Sequence, residues 1–191
     1  MVIFHHSSST IYQLSSMFKK VLSAALLFAG MAGAAQAQEV FGKGDKALNI
    51  GIGLGSTISG TTIPPITASL DFGVADRLIN GNNGSISVGG LLGYTGSYND
   101  YVTTHYGIIG ARGAFHYQFV DKLDTYAGLL LEYRYARVNW KSDIISGSAG
   151  SSGIALGGYL GARYFFTPKV GAFAELGFTN AYADVGVTFK L

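Results

Sequence analysis

Apolar and small or polar residues alternate along most of the chain, and the final segment shows the period best. Ala183, Val185, Val187, Phe189 and Leu191 share one parity, while Asp184, Gly186, Thr188 and Lys190 share the other. Side chains of a strand point alternately to opposite faces, so a period of two predicts a strand with one apolar and one polar surface. Eight such segments can be marked, at approximately Ala47 to Thr57, Ile66 to Ala75, Ser85 to Ser97, Thr104 to Phe119, Thr125 to Asn139, Gly153 to Phe166, Val170 to Phe178 and Tyr182 to Leu191. Most have roughly the ten residues that a tilted strand needs to cross the hydrocarbon of a bilayer. The predicted fold is all-β: an eight-stranded antiparallel up-and-down transmembrane β-barrel.

Turn chemistry separates the segments. Asn80 to Gly84, Asp121 to Asp124 and Thr167 to Lys169 read as short turns, and Ser97 to Thr103 and the Ser- and Gly-rich Lys141 to Ser152 read as longer loops. Pro64 and Pro65 lack the N–H that a ladder needs and are expected before the second strand. Short turns on one side and longer loops on the other are the asymmetry of outer-membrane barrels. An even strand count puts both termini on the turn side. The loops near Ser56 to Pro65, Ser97 to Thr103, Lys141 to Ser152 and Asn180 are then expected to face outward from the cell.

Charge decides which parity meets lipid. Leu48, Ile50, Ile52 and Leu54, with Leu129, Leu131, Tyr133 and Tyr135, typify one face; Asp71, Arg112, Glu132, Arg134, Arg163 and Glu175 lie on the other. Reversing the register would turn three arginines toward lipid, at roughly 2–4 kcal/mol each near the midplane. The charged parity is therefore the lumen, where Gly51, Gly53, Gly89, Gly157 and Gly161 leave room for long side chains in a barrel just wide enough to be filled. Counting back from the Asp121 to Asp124 turn places Arg112 opposite Glu132, and these two are expected to pair. Arg134, Arg163, Glu175 and Asp71 complete the expected network, which would close the lumen. Phe115, Tyr117, Phe119, Tyr164 and Phe166 toward the turns, and Tyr94, Tyr133 and Tyr135 toward the loops, suggest two interfacial girdles.

Composition adds a location. Lys19 and Lys20 precede an apolar run from Val21 to Ala34, and Ala35, Gln36 and Ala37 fit a small-x-small cleavage site. The expected organisation is an extension and cleaved signal peptide over residues 1–37, with Met17 as the expected start, and a barrel domain over residues 38–191. No cysteine is present, which excludes disulfide staples and a lipidated N-terminal Cys. The net charge of +2 gives no reason to expect nucleic acid as a partner.

With those residues in place, the chain resembles the small bacterial outer-membrane β-barrels of the OmpA/OmpX-like kind. The resemblance implies an outer-membrane location, outer-membrane lipid as the surroundings, and a structural or surface-interaction role, in adhesion or envelope integrity, through outer loops that meet host or surface ligands. It also implies recognition of the last strand by the barrel-assembly machinery: Val185, Val187 and Phe189 match that signal, while Leu191 stands where an aromatic is usual.

Other chemistries fit these residues less well. Gly51, Gly53 and Gly55 have the wrong spacing for a nucleotide loop. Tyr101, His105 and Tyr106 suit loop or girdle packing better than a ligand site. Barrel deacylases of lipid A look like they carry a His-x-Ser pair on one strand, but His105 and His116 have no serine at that offset. His116 is expected as a hydrogen-bonded filler of the lumen. No catalytic residue, metal cluster or cofactor is therefore expected. A small-solute channel is the alternative reading. A lipocalin-like carrier would need the apolar face inward and the charges in water, against the girdles and the last strand.

Overall fold

The computed structural model describes residues 40–79, 84–98, 101–141, 146–177 and 180–191. Eight strands run in order: β1 (Lys46–Ser56), β2 (Ile63–Ala75), β3 (Gly84–Tyr98), β4 (Val102–Val120), β5 (Leu123–Lys141), β6 (Ser146–Phe165), β7 (Val170–Gly177) and β8 (Ala181–Lys190). Each pairs antiparallel with its neighbours, and β8 returns to β1 to close the barrel. Closure removes both sheet edges, so a chain this rich in outward apolar residues presents no open ladder over the closed portion.

The alternation separates two environments. Leu129 is 65% exposed and Leu160 61%, whereas their lumen-facing neighbours Leu130 and Tyr159 are buried. Ile50, Ile52, Leu92, Ile109, Leu131 and Leu156 continue the exposed apolar surface around the barrel. In water such a surface would be strongly unfavourable. Inside, the polar residues are joined by a small apolar layer that the charge pattern had not indicated, built on Leu91, Ile108, Leu130, Tyr126 and Tyr159.

Three expectations change. Pro64 and Pro65 lie within β2, not before it. They are tolerated because the β1–β2 ladder ends at Ile52↔Ile66 and the β2–β3 ladder shifts register between Ile63 and Ile66, so neither proline N–H is required. The expected loop from Lys141 to Ser152 is largely strand: Tyr135↔Ser152 through Lys141↔Ser146 are ladder pairs. Backbone pairing does not need side chains, and aromatic rings of β5 cover the bare glycines; a Cβ on Gly147 would lie 3.2 Å from the Trp140 ring, and one on Gly150 would lie 3.3 Å from the Tyr135 hydroxyl. The asymmetry of the barrel thus lies in strand length more than in loop length. β4, β5 and β6 have 19, 19 and 20 residues, against 8 in β7 and 10 in β8. The wall is tall on one side.

Residues 40–45 form a short strap across the turn end of the lumen. Val40 N donates to Gln118 Oε1 at 2.8 Å, Lys190 Nζ donates to Val40 O at 2.8 Å, and Gly44 N donates to Gly73 O at 2.9 Å. Lys190 also pairs with Asp45 at 2.8 Å. Gly73 is glycine for reasons of space, since a Cβ there would collide with the Gly42 carbonyl.

The lumen as a candidate functional site

Closing the sheet brings side chains from distant strands together. Asp71 of β2 is the hub of the buried charges: Oδ1 lies 3.0 Å from Arg112 Nε, and Oδ2 binds Arg163 Nη2. Arg112 also reaches Glu175 of β7 through two contacts, at 2.7 and 3.3 Å, and Ser69 Oγ at 3.0 Å. Tyr126 donates its hydroxyl to Glu175 at 2.8 Å, and Tyr159 lies beneath the Arg112 guanidinium, 4.2 Å from carbon to ring centre. Arginine suits this position because its planar fork can serve two carboxylates and an aromatic face at once.

Of the residues read from the sequence, Asp71, Arg112, Arg163 and Glu175 meet in this cluster. Glu132 and Arg134 pair with each other at 3.1 Å, further along β5 toward the loops. The Arg112 to Glu132 alignment was wrong by two residues. Arg112 stands opposite Leu130 and Glu132 opposite Gly110: the turn is only Asp121 and Lys122, with Val120 opposite Leu123, and the irregularity between Tyr117 and Val120 shifts the ladder by one residue more. A bulge at the turn shifts every later pair, which simple counting from the turn does not see.

Several lumen residues carried weaker sequence signals. Asp124 reads in the sequence as the end of the Asp121 to Asp124 turn, although it shares parity with Tyr126, Leu130 and Glu132; it is buried and binds Arg163 Nη1 at 3.1 Å. His116 faces the lumen and is hydrogen-bonded, its Nδ1 to Asp124 at 2.9 Å and its Nε2 to Ser87 Oγ at 2.8 Å. Thr67 donates to Asp184 Oδ2 at 2.6 Å. Asn49 Nδ2 donates to Ser69 Oγ at 3.1 Å.

Ring and glycine positions interlock around the cluster. Tyr126 stands opposite Gly161 and Gly128 opposite Tyr159, and a Cβ on either glycine would collide with the facing ring. On the outside, Val185 and Val187 are exposed along the last strand, and Leu191 is exposed just beyond it. Toward the loops, His105 Nδ1 is 2.6 Å from the Tyr94 hydroxyl and its ring meets Tyr98 edge-on, while Tyr101 stands exposed. Among the described residues no His, Cys, Asp and Glu group has the arrangement of a metal site.

This is the fold of the small outer-membrane eight-stranded barrels, the class anticipated from the strand pattern. Among solved structures, the N-terminal β-barrel domain of OprF from Pseudomonas aeruginosa aligns with a TM-score of 0.53 at 16% identity, over 79% of this chain and all (100%) of that one. Ail, the attachment invasion locus protein of Yersinia pestis, aligns with a TM-score of 0.49 at 11% identity, over 78% of this chain and 95% of its own. Neisserial surface protein A gives 0.43 at 16%, over 77% and 94%. At these identities the OprF likeness bears on fold alone. No family model matches the chain. No curated protein matches it in sequence.

Proposed function

We propose that this chain is an integral outer-membrane barrel with a closed polar lumen, acting structurally and through surface contacts made by its loop end. The observation that carries the reading is the segregation of charge: Arg112, Arg163, Asp71 and Asp124 are each at most 4% exposed inside, while Leu, Ile, Val and aromatic side chains occupy the outer face. Such a surface suits hydrocarbon, and paired charges spanning the lumen suit a closed one.

Orientation follows from the same argument. The turn end, with both ends of the described barrel, belongs in the periplasm, and the tall β4–β6 wall belongs outside the cell. Roughly ten residues cross the membrane in a tilted strand, so the remainder of these 19- and 20-residue strands stands clear of it. The loop end carries the exposed Trp140 on β5, Tyr98 at the end of β3 and Tyr101 before β4, side chains of the kind that anchor protein contacts. Val185, Val187, Phe189 and Leu191 would present the last strand to the assembly machinery.

The test is reconstitution in planar bilayers of protein extracted from the outer-membrane fraction. The closed-lumen reading expects a band whose gel mobility shifts on boiling and a current without discrete steps. Reproducible unitary conductance would replace it with the small-solute channel, and recovery in the soluble periplasm would overturn the membrane assignment.

A further inference from the structure

Ser87 of β3, His116 of β4 and Asp124 of β5 meet at the turn end of the lumen, each nearly inaccessible to solvent. Ser87 Oγ is 2.8 Å from His116 Nε2, and His116 Nδ1 is 2.9 and 3.1 Å from the two Asp124 oxygens. A carboxylate accepts only, so the Nδ1 that faces it carries the proton. In the tautomer that carries its proton there, Nε2 accepts from the Ser87 hydroxyl, while Arg163 shares Asp124 at 3.1 Å. Serine, base and orienting acid in this order are what nucleophilic catalysis uses, whatever fold supplies them.

A ring occupies the space beside the imidazole, and the carbonyl of the same residue meets Ser85, which stands opposite His116 on β3. The Phe41 ring stacks on His116, with centres 4.6 Å apart and planes at 28°. The Phe41 carbonyl oxygen accepts from Ser85 Oγ at 2.7 Å. Arg163 lies 5.4 Å from the same ring, and although the side chain is fully buried, its Nε has no hydrogen-bond partner among the described residues. A buried donor without an acceptor is costly. The Ser85 hydroxyl, which already donates to a carbonyl, and the Arg163 Nε–H are candidate donors to a carbonyl oxygen as it gains charge.

We propose that Ser87 is a nucleophile activated by His116 and positioned through Asp124, and that residues 40–45 cover it as a built-in occupant. The substrate class is a carboxylic ester whose aromatic group takes the place of the Phe41 ring, entering from the turn end once the strap is displaced. Ser87 Oγ forms a bond to the ester carbonyl carbon as its proton passes to His116 Nε2. The bond from that carbon to the alcohol oxygen then breaks, and the departing oxygen takes the proton from His116. Water repeats the sequence: its oxygen bonds to the acyl carbon, its proton goes to His116 and then to Ser87 Oγ, and the carboxylic acid leaves. The proposal is independent of whether the lumen conducts ions.

The experiment treats the full chain, folded in detergent, with an aryl-bearing fluorophosphonate, which bonds phosphorus to a reactive serine oxygen as fluoride departs. Mass spectrometry should find the adduct on Ser87 and none in Ser87→Ala. Phe41→Ala and Gly73→Ala, which disturb the strap without altering the three residues, should accelerate labelling; adducts in these variants alone also support a covered nucleophile. His116→Gln should slow labelling by about a hundredfold or more, and Asp124→Asn gives the same comparison should that variant not fold. Phenyl acetate should be hydrolysed by the strap variants and not by their Ser87→Ala counterparts. Absence of a Ser87 adduct in strap variants that retain the folded gel band, or a labelling rate unaffected by His116→Gln and Asp124→Asn, would overturn the proposal.

Discussion

Arg163 of β6 and Asp71 of β2 stand four strands apart around the barrel, yet their side chains meet inside it. Arg163 simultaneously holds Asp124 and lies over the Tyr126 ring, 4.5 Å from its centre. One guanidinium therefore ties three strands together across the lumen.

Replacing Arg163 with Leu takes one partner from each of two buried carboxylates, leaving Asp71 to Arg112 and Asp124 to His116. Losing one partner of a buried pair typically costs about 3–5 kcal/mol, because the remaining charge keeps its desolvation penalty. The thermal midpoint of the folded gel band in detergent should fall markedly. An unchanged midpoint would show that the lumen charges are not holding the wall together.

Arg112→Leu separates the observed pairing from the one read by counting. It should destabilise the barrel to a similar degree, since Arg112 serves both Asp71 and Glu175. Combined with Glu175→Gln, the loss should be smaller than the sum of the two single losses, whereas combination with Glu132→Gln should be additive. The opposite result in a double-mutant cycle would restore the Glu132 pairing.

Two glycines of β6 should behave differently. A Cβ at Gly161 would run into the Tyr126 ring, whereas nothing lies within 4 Å of one placed at Gly153. Gly161→Ala should lower stability by about 1–3 kcal/mol, the usual cost of overpacking. Gly153→Ala should be close to neutral in the same melt.

The outer face has its own test. Leu129, exposed in the turn-side half of β5 that the membrane would cover, should not tolerate arginine: in a bilayer Leu129→Arg should cost roughly 2–4 kcal/mol near the midplane. Equal refolding yields of the two proteins into phospholipid vesicles would argue that this face does not meet lipid.

The last strand makes a prediction about biogenesis. Phe189→Ala should reduce the amount of heat-modifiable barrel recovered from the outer membrane, and Leu191→Phe should raise it. Equal yields from both would remove these positions from the assembly signal.

Much of this architecture was written in the chain. A period of two, interrupted by turn residues, determined the strand number and the two faces, because strand geometry sends alternate side chains to opposite sides whatever their partners. Charge then determined which face is inward, since arginine is costly in hydrocarbon. What the tertiary structure alone decided is who meets whom inside. Closure carries β2 to face β6, a tight turn and a bulge near Tyr117 together displace Arg112 from Glu132, and aromatic rings of β5 let a glycine-rich segment join the sheet. The strap reaches the lumen from outside the eight strands, where no periodicity marks it. Ser87, His116 and Asp124 illustrate the limit: a search along one strand for a serine near a histidine finds none, because their proximity arises from the register between three strands. Register depends on bulges and on closure of the whole ring, and neither is a local property of the sequence.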